Sequence, residues 1–179
     1  GIDYLEYKSS NGTDFKVGLM DESVFAGGGE TTLGGVYFNP NMPTEESFTM
    51  PYKFGTQGRV VATKPLNNQG RIIDKFWLEF KDGVVVDFDA QSEKDTLEQL
   101  LNTDEGSRRI GEIALISHKS PISDLNILFY NTLFDENASC HMALGRAYPM
   151  NIKNGNQTSV EELEKKGYNN SMNHVDFMF

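Results

Sequence analysis

Two stretches of this chain read as buried strands yet carry charge in their interior, and any fold it adopts must give those charges a partner. The run 109–116, RIGEIALI, holds Glu112 among isoleucine, alanine and leucine, and the run 171–179, SMNHVDFMF, holds His174 and Asp176. A strand sends residues i and i+2 to one face, so His174 and Asp176 stand about 7 Å apart and form a chelating pair if that face is internal. On an exposed edge strand they would simply be solvated. Alternation gives Glu112 the same face as Ile110, Ala114 and Ile116. A buried unpaired carboxylate costs several kcal/mol or more unless something cationic holds it. A metal ion is one such partner, and Arg108 or Arg109 next door is another.

The remaining pattern is that of an α+β domain, a mixed and largely antiparallel sheet with covering helices. Alternation and β-branched or aromatic content predict strands over 13–20, 34–39, 59–66, 72–80 and 84–89. Lys81-Asp82-Gly83 between the last two is a hairpin signal, because the turn needs positive φ. Ser92 is placed to cap a helix over 93–101, and Ser159 with Glu162 forms a capping box for a helix that Gly167 closes. A third helix is predicted over 136–147, with Asp135 near its start. Residues 151–159, rich in Asn, Gly and Ser, read as a loop.

At 179 residues the chain suffices for one well-buried domain. The net charge of −10, with scattered basic residues, argues against a nucleic-acid surface. The single cysteine, Cys140, excludes an internal disulfide framework and suits a reducing, cytoplasmic setting. No apolar run approaches the roughly 20 residues that span a bilayer, so no membrane role is expected. The missing initiating Met and the ending inside an apolar strand read as a piece of a longer protein.

Several further residues are candidates for chemistry. If 135–148 is helical, His141 and Tyr148 lie on one face, two turns and about 10 Å apart; a lone His among small apolar residues is also a common satisfied core residue. Glu45 and Glu46 lie in a stretch, 41–51, too punctuated by proline for a regular helix, which holds carboxylates at fixed backbone positions or leaves them as a solvated acidic loop. Gly27-Gly28-Gly29 lacks the Gly-Lys-Ser/Thr of a phosphate loop and reads as a flexible turn. Cys140 and His141 diverge as helical neighbours, so Cys140 reads as a buried structural residue rather than a nucleophile. His118 reads as loop edge. Two histidines, several carboxylates and a tyrosine, with no thiolate pair, suit a catalytic Zn, Mn, Co or Mg site.

The segments PTEE at 43–46, GEIAL at 111–115, LFYNTLFDENASCHMALG at 128–145 and HVDFM at 174–178 together resemble the M29 family of metallo-aminopeptidases, over residues 13–179. The resemblance implies that 1–179 is a catalytic domain of a larger two-domain protein. A separate N-terminal α/β domain and the family's C-terminal continuation would lie outside it. It implies two divalent metal ions held by Glu46, Glu112, His141, Tyr148, His174 and Asp176, with Glu46 taken over its neighbour by alignment of the motif; Glu45, left beside them, is a candidate general base as a hypothesis. It implies metal-assisted hydrolysis of the first bond of a peptide substrate, in a homodimer. The same ligands would serve another dinuclear hydrolase, such as an amidase or phosphoesterase, or a metal-stabilised interaction domain.

Overall fold

The first half of the chain is strand-rich, as its alternation predicts. The computed structural model describes residues 1–40 and 42–179. In chain order its strands are β1 (Tyr4–Lys8), β2 (Asp14–Leu19), β3 (Glu30–Thr31), β4 (Tyr37–Phe38), β5 (Glu46–Thr49), β6 (Pro51–Val61), β7 (Leu66–Asn68), β8 (Arg71–Lys81) and β9 (Val84–Ser92). There follow helix α1 (Lys94–Leu101), β10 (Ile110–Ile116), the short helices α2 (Pro121–Leu125) and α3 (Thr132–Asp135), β11 (His141–Gly145), α4 (Val160–Lys166) and β12 (His174–Met178). Among the described residues no helix is long and apolar enough to cross a membrane.

Two antiparallel sheets close over one apolar core. The larger runs β1-β2-β6-β8-β7, with β9 also paired to β8; the smaller runs β12-β11-β10-β5. Phe15, Val60, Phe76 and Leu78 from the first meet Ile113, Met142, Leu144 and Phe177 from the second, and the rings of Phe76 and Phe177 pack edge to face at 5.1 Å. The chain passes from β5 in the small sheet straight into β6 in the large one through buried Met50. Pro51 sits at the first position of its strand, where a missing ladder donor is tolerated.

The Asp82-Gly83 turn forms as expected, with Lys81 opposite Val84. The capping box of Ser159 and Glu162 and the left-handed Gly167 bound α4. Four expectations are corrected. Residues 136–147 are not a helix: a single 3₁₀ turn at Glu136–Ala138 leads into β11, because both neighbouring strands pair with it. The cap of α1 is Glu93, since Ser92 is still paired with Asp74 in the sheet. The 59–66 strand ends at Val61 and resumes as β7 after Pro65, while 34–39 shrinks to β4 because Gly34 and Gly35 form its turn. Within 41–51, Asn41 lies outside the described residues and 46–49 form β5.

Hydrogen bonds from one side chain tie the entry to β12 onto the small sheet. Buried Asn169 donates through Nδ2 to the carbonyls of Gly106 (2.9 Å) and Gly145 (2.6 Å). Truncating it strands both acceptors out of water, at about 1–3 kcal/mol for each group. Asn169→Ala is expected to lower unfolding free energy by about 2–4 kcal/mol in a urea titration; a loss under about 0.5 kcal/mol would mean that the carbonyls find other partners.

Candidate metal centre

The register of the small sheet gathers the charged residues on the face turned away from the core. Glu46 on β5 lies opposite Ile116, His141 on β11 lies opposite Ala114, and Ala143 is flanked by Glu112 on β10 and Asp176 on β12. His174 lies opposite Gly145. Directly paired residues share a face, so Glu46, Glu112, His141, His174 and Asp176 stand together around the small side chains of Ala114, Ala143 and Gly145. A β-bulge between Ile110 and Glu112 lets both the core and this face be served: it pairs Ile110 with core residue Leu144 and Glu112 with Ala143. Ile110 is therefore not on the face of Glu112, as strict alternation predicts. Gly111 makes the bulge possible, because a Cβ there would collide with the backbone of Gly145 and Arg146.

Both histidines are oriented through the ring nitrogen remote from the cluster. His174 Nδ1 lies 2.7 Å from the Arg146 carbonyl and His141 Nδ1 lies 3.3 Å from the Ser139 carbonyl. A carbonyl only accepts, so each Nδ1 donates to it and each Nε2 is left facing its neighbours, where it can hold a proton or turn a lone pair on a cation. Those neighbours are carboxylates. His141 Nε2 is 3.0 Å from Glu46 Oε2 and 3.7 Å from Glu112 Oε1; His174 Nε2 is 3.8 Å from Glu112 Oε2 and 3.6 Å from Asp176 Oδ2. Despite that proximity, His141 Nε2 and Asp176 Oδ1 are buried without a hydrogen-bond partner.

Three groups of side chains have ligand atoms within 4.8 Å of one another: Glu46, Glu112 and His141; Glu112, His174 and Asp176; and Glu136, His141 and Asp176. Crowded carboxylates with imidazole nitrogens among them, two of these atoms orphaned, are what a cation would satisfy, and the oxygen and imidazole donors suit a divalent ion. The arginine alternative is removed: Arg108 donates to Asn102 and the Val85 carbonyl, and Arg109 to the carbonyls of Lys53 and Asp82. Among the described residues, no lysine or arginine lines the cavity over this face, which has a volume of about 240 Å³.

The crowding shows in the proton affinities. Burial, with Asp176 nearby, pushes the Glu136 carboxyl up to about 9. Burial also raises Asp176, with His174 opposing and Glu112 adding to the rise. For His141 burial acts downward, but Glu112 and Glu46 outweigh it and lift the imidazole well above its ordinary value. Burial, then Glu112, pushes the Tyr148 phenol up to about 12.

Of the residues expected from sequence, Glu46, Glu112, His141, His174 and Asp176 come together, and Tyr148 joins them on the cavity wall, its ring 4.6 Å from that of His174. Glu45 is not brought in. Its side chain is exposed and its N–H donates to Asn137 Oδ1 at 2.7 Å, just before β5 begins at Glu46. His141 reaches the cluster from a strand, so the helical spacing to Tyr148 has no counterpart. Glu136 was not anticipated; it opens the 3₁₀ turn that precedes β11, in a stretch that reads as helical by composition. Gly27-Gly28-Gly29, read from sequence as a flexible turn, forms part of the cavity wall, beside the bridge from Ala26 to β5. Cys140 is half-buried, with its thiol 3.8 Å from the Ile116 carbonyl, and His118 is exposed in a turn.

A face of carboxylates and imidazoles without a fixed cation defines a metal-binding domain. Over residues 1–179 the chain matches the thermophilic metalloproteases (M29), and it belongs to that family. It is 56% identical to Aminopeptidase 2 of Geobacillus stearothermophilus, covering 99% of this chain and 45% of that protein. It is 52% identical to Aminopeptidase AmpS of Bacillus subtilis (strain 168), over 97% of this chain and 42% of the relative. The solved structure of wild-type AmpT from Thermus thermophilus superposes with a TM-score of 0.91 at 41% identity, over 98% of this chain and 43% of AmpT. The chain thus spans less than half the length of these relatives.

The charge crowding fixes a pH dependence for the chelator-stripped protein. A group whose folded pKa exceeds its unfolded value stabilises the fold below the unfolded value and loses that contribution as pH rises through the folded one. Glu136 and His141 are both raised, so stability falls with rising pH, for Glu136 between 4.5 and about 9. A divalent cation is expected to raise the melting temperature more at about pH 8 than at about pH 5.5, and Glu136→Gln to flatten the slope of the stripped protein. Equal metal-induced shifts at both pH values would show that the carboxylates are not what the cation neutralises.

Proposed function

We propose that this chain holds two divalent cations and, as part of an aminopeptidase, hydrolyses the first bond of peptides. What carries the reading is Glu112, whose two oxygens face different histidines, Oε1 toward His141 at 3.7 Å and Oε2 toward His174 at 3.8 Å. One carboxylate shared between two ligand groups supports a pair of ions rather than one. Glu46, Glu112 and His141 would hold one; Glu112, His174 and Asp176 the other; Glu136 reaches both groups through His141 and Asp176. Zn, Co, Mn and Mg all accept such donors. Two bound ions would supply an acidified water and polarise the scissile carbonyl.

The chain's own residues shape what can approach. Phe48, Tyr148 and Met150 line the cavity with apolar surface that limits water around the reacting bond, while Glu30 and the ligand carboxylates make it acidic. An acidic cavity without lysine or arginine repels a phosphoester and accommodates the ammonium of a free N-terminus, which favours peptide over phosphate chemistry. Tyr148, against the ring of His174, completes the ligand set or donates its phenolic proton to the substrate. The exposed Leu33, Val36 and Tyr37, on the hairpin that carries Glu30 into the cavity, support self-association as a homodimer. Light scattering on Leu33→Asp would show a monomer if the hairpin holds the pair, and an unchanged dimer if it does not.

Elemental analysis of the purified protein is expected to find about two divalent ions per chain, with fewer in His174→Ala. Leucine p-nitroanilide turnover should disappear with chelator and return with metal. Metal bound without turnover, in the full protein, would leave a structural cation site and remove the peptidase. Tyr148→Phe is expected to cut kcat by about 10²-fold or more. Retained metal would make the phenol a proton donor, a lost ion would make it a ligand, and full activity would exclude both.

A further inference from the structure

We propose that Glu30 receives a positive charge of the substrate, a role that rests on the peptidase reading above. The charged side chains lining the cavity are Glu30, Glu46, Glu112, Glu136, His174 and Asp176. Five of them belong to the metal-ligand groups, and Glu30 belongs to none. On β3 it is half-buried while its neighbour Thr31 is exposed, as alternation requires of a residue turned toward the cavity. Among the described residues no cation pairs with it and no side-chain hydrogen bond reaches it.

The glycines that precede it set its position. A Cβ on Gly27 would collide with the carbonyl oxygen of Glu46, so only glycine lets this segment lie directly on β5. The backbone bridge between Ala26 and Phe48 pins the segment there. Gly29 likewise leaves room for the Tyr37 ring. The segment leading from β5 to Glu30 therefore projects no side chain at Gly27, Gly28 or Gly29, and Glu30 lines the same open cavity as the metal groups. Phe48, Tyr148 and Met150 supply the apolar part of the lining.

A half-buried carboxylate without a partner forms strong charge-assisted hydrogen bonds to an ammonium or guanidinium. A peptide can offer two such charges. One is its α-ammonium, with a pKa near 8, which every aminopeptidase substrate carries; the other is the side chain of an N-terminal lysine or arginine. Glu30 recognises this shared chemistry, and the metal groups are left to the carbonyl and water.

The test is calorimetric titration of the metal-loaded full protein and of its Glu30→Gln variant with L-leucinol, N-acetyl-L-leucinol and L-argininol. Metal content, and turnover of leucine and arginine p-nitroanilide, are measured on the same samples. The expected result is unchanged metal content, an affinity for L-leucinol that falls about tenfold, and no change for the acetylated probe. Glu30→Asp should recover part of the loss. A fall confined to L-argininol also supports the role and assigns it to the side chain's charge. Equal affinities of wild type and variant for both cations would overturn the proposal, and so would loss of metal, which would make Glu30 part of the ion site. A wild type that binds L-leucinol but turns over no anilide would remove the peptidase reading, and the proposal with it as a substrate contact.

Discussion

Four carboxylates and two imidazoles packed on one sheet face cannot all keep their charge and lone pairs unanswered. Two like charges 4 Å apart repel by about 4 kcal/mol at the effective dielectric of a protein surface. Several such pairs would consume much of the roughly 5–15 kcal/mol by which a domain is stable. The raised Glu136 carboxyl and the raised His141 imidazole are the protein's recourse without a cation: it retains protons. A bound divalent ion replaces those protons with a stronger and more localised charge. Folding and metal affinity draw on the same cluster.

The small sheet is built to tolerate that cluster because its two faces have different jobs. Ile113, Met142, Leu144 and Phe177 fill the core, whereas the opposite side has Ala114, Ala143 and Gly145 between the charged residues. Larger residues at those three positions would occupy the space a cation and its ligands need. The bulge at Gly111 keeps both faces in register, holding Ile110 in the core and Glu112 out of it. Backbone carbonyls of Ser139 and Arg146 then fix the two imidazoles, so ligand orientation is set by the main chain rather than by other side chains.

Legibility in the sequence followed the range of the interactions. Charge inside apolar alternation marked Glu112, His174 and Asp176, and local turn and cap chemistry marked Asp82-Gly83 and the start of α4. Residues 136–147 failed because Ala, Leu and Met favour a helix locally, while pairing to β10 and β12 imposes a strand. The alternation of large Met142 and Leu144 with small Ala143 and Gly145 was visible, but five residues cannot outvote propensity without knowledge of the flanking strands. Glu136 was lost with the same misreading. Position 46 rather than 45 came from likeness to relatives; the physical reason, that only one parity of β5 faces the cluster, needs the register with β10.

Cavity and cluster differ in how they are made. Apart from Glu136, the ligand groups stand on paired strands, whose register allows little drift. Much of the remaining wall comes from the segments carrying Gly27 to Glu30, Pro40, Thr44 and Met150, which lie outside the four-stranded ladder and are joined to it by the bridge between Ala26 and Phe48. Away from Gly27, which lies directly on the Glu46 carbonyl, changes in those segments would alter what fits against the ligand face while leaving its ladder in place, as is usual where loops on a rigid scaffold carry recognition. Under the proposed reading, such a division would separate the metal chemistry, held by hydrogen-bonded strands, from substrate selection at the glycine-lined wall that carries Glu30. It also accounts for Glu30 lying outside every ligand group while facing the same cavity: it belongs to the part of the site that can vary.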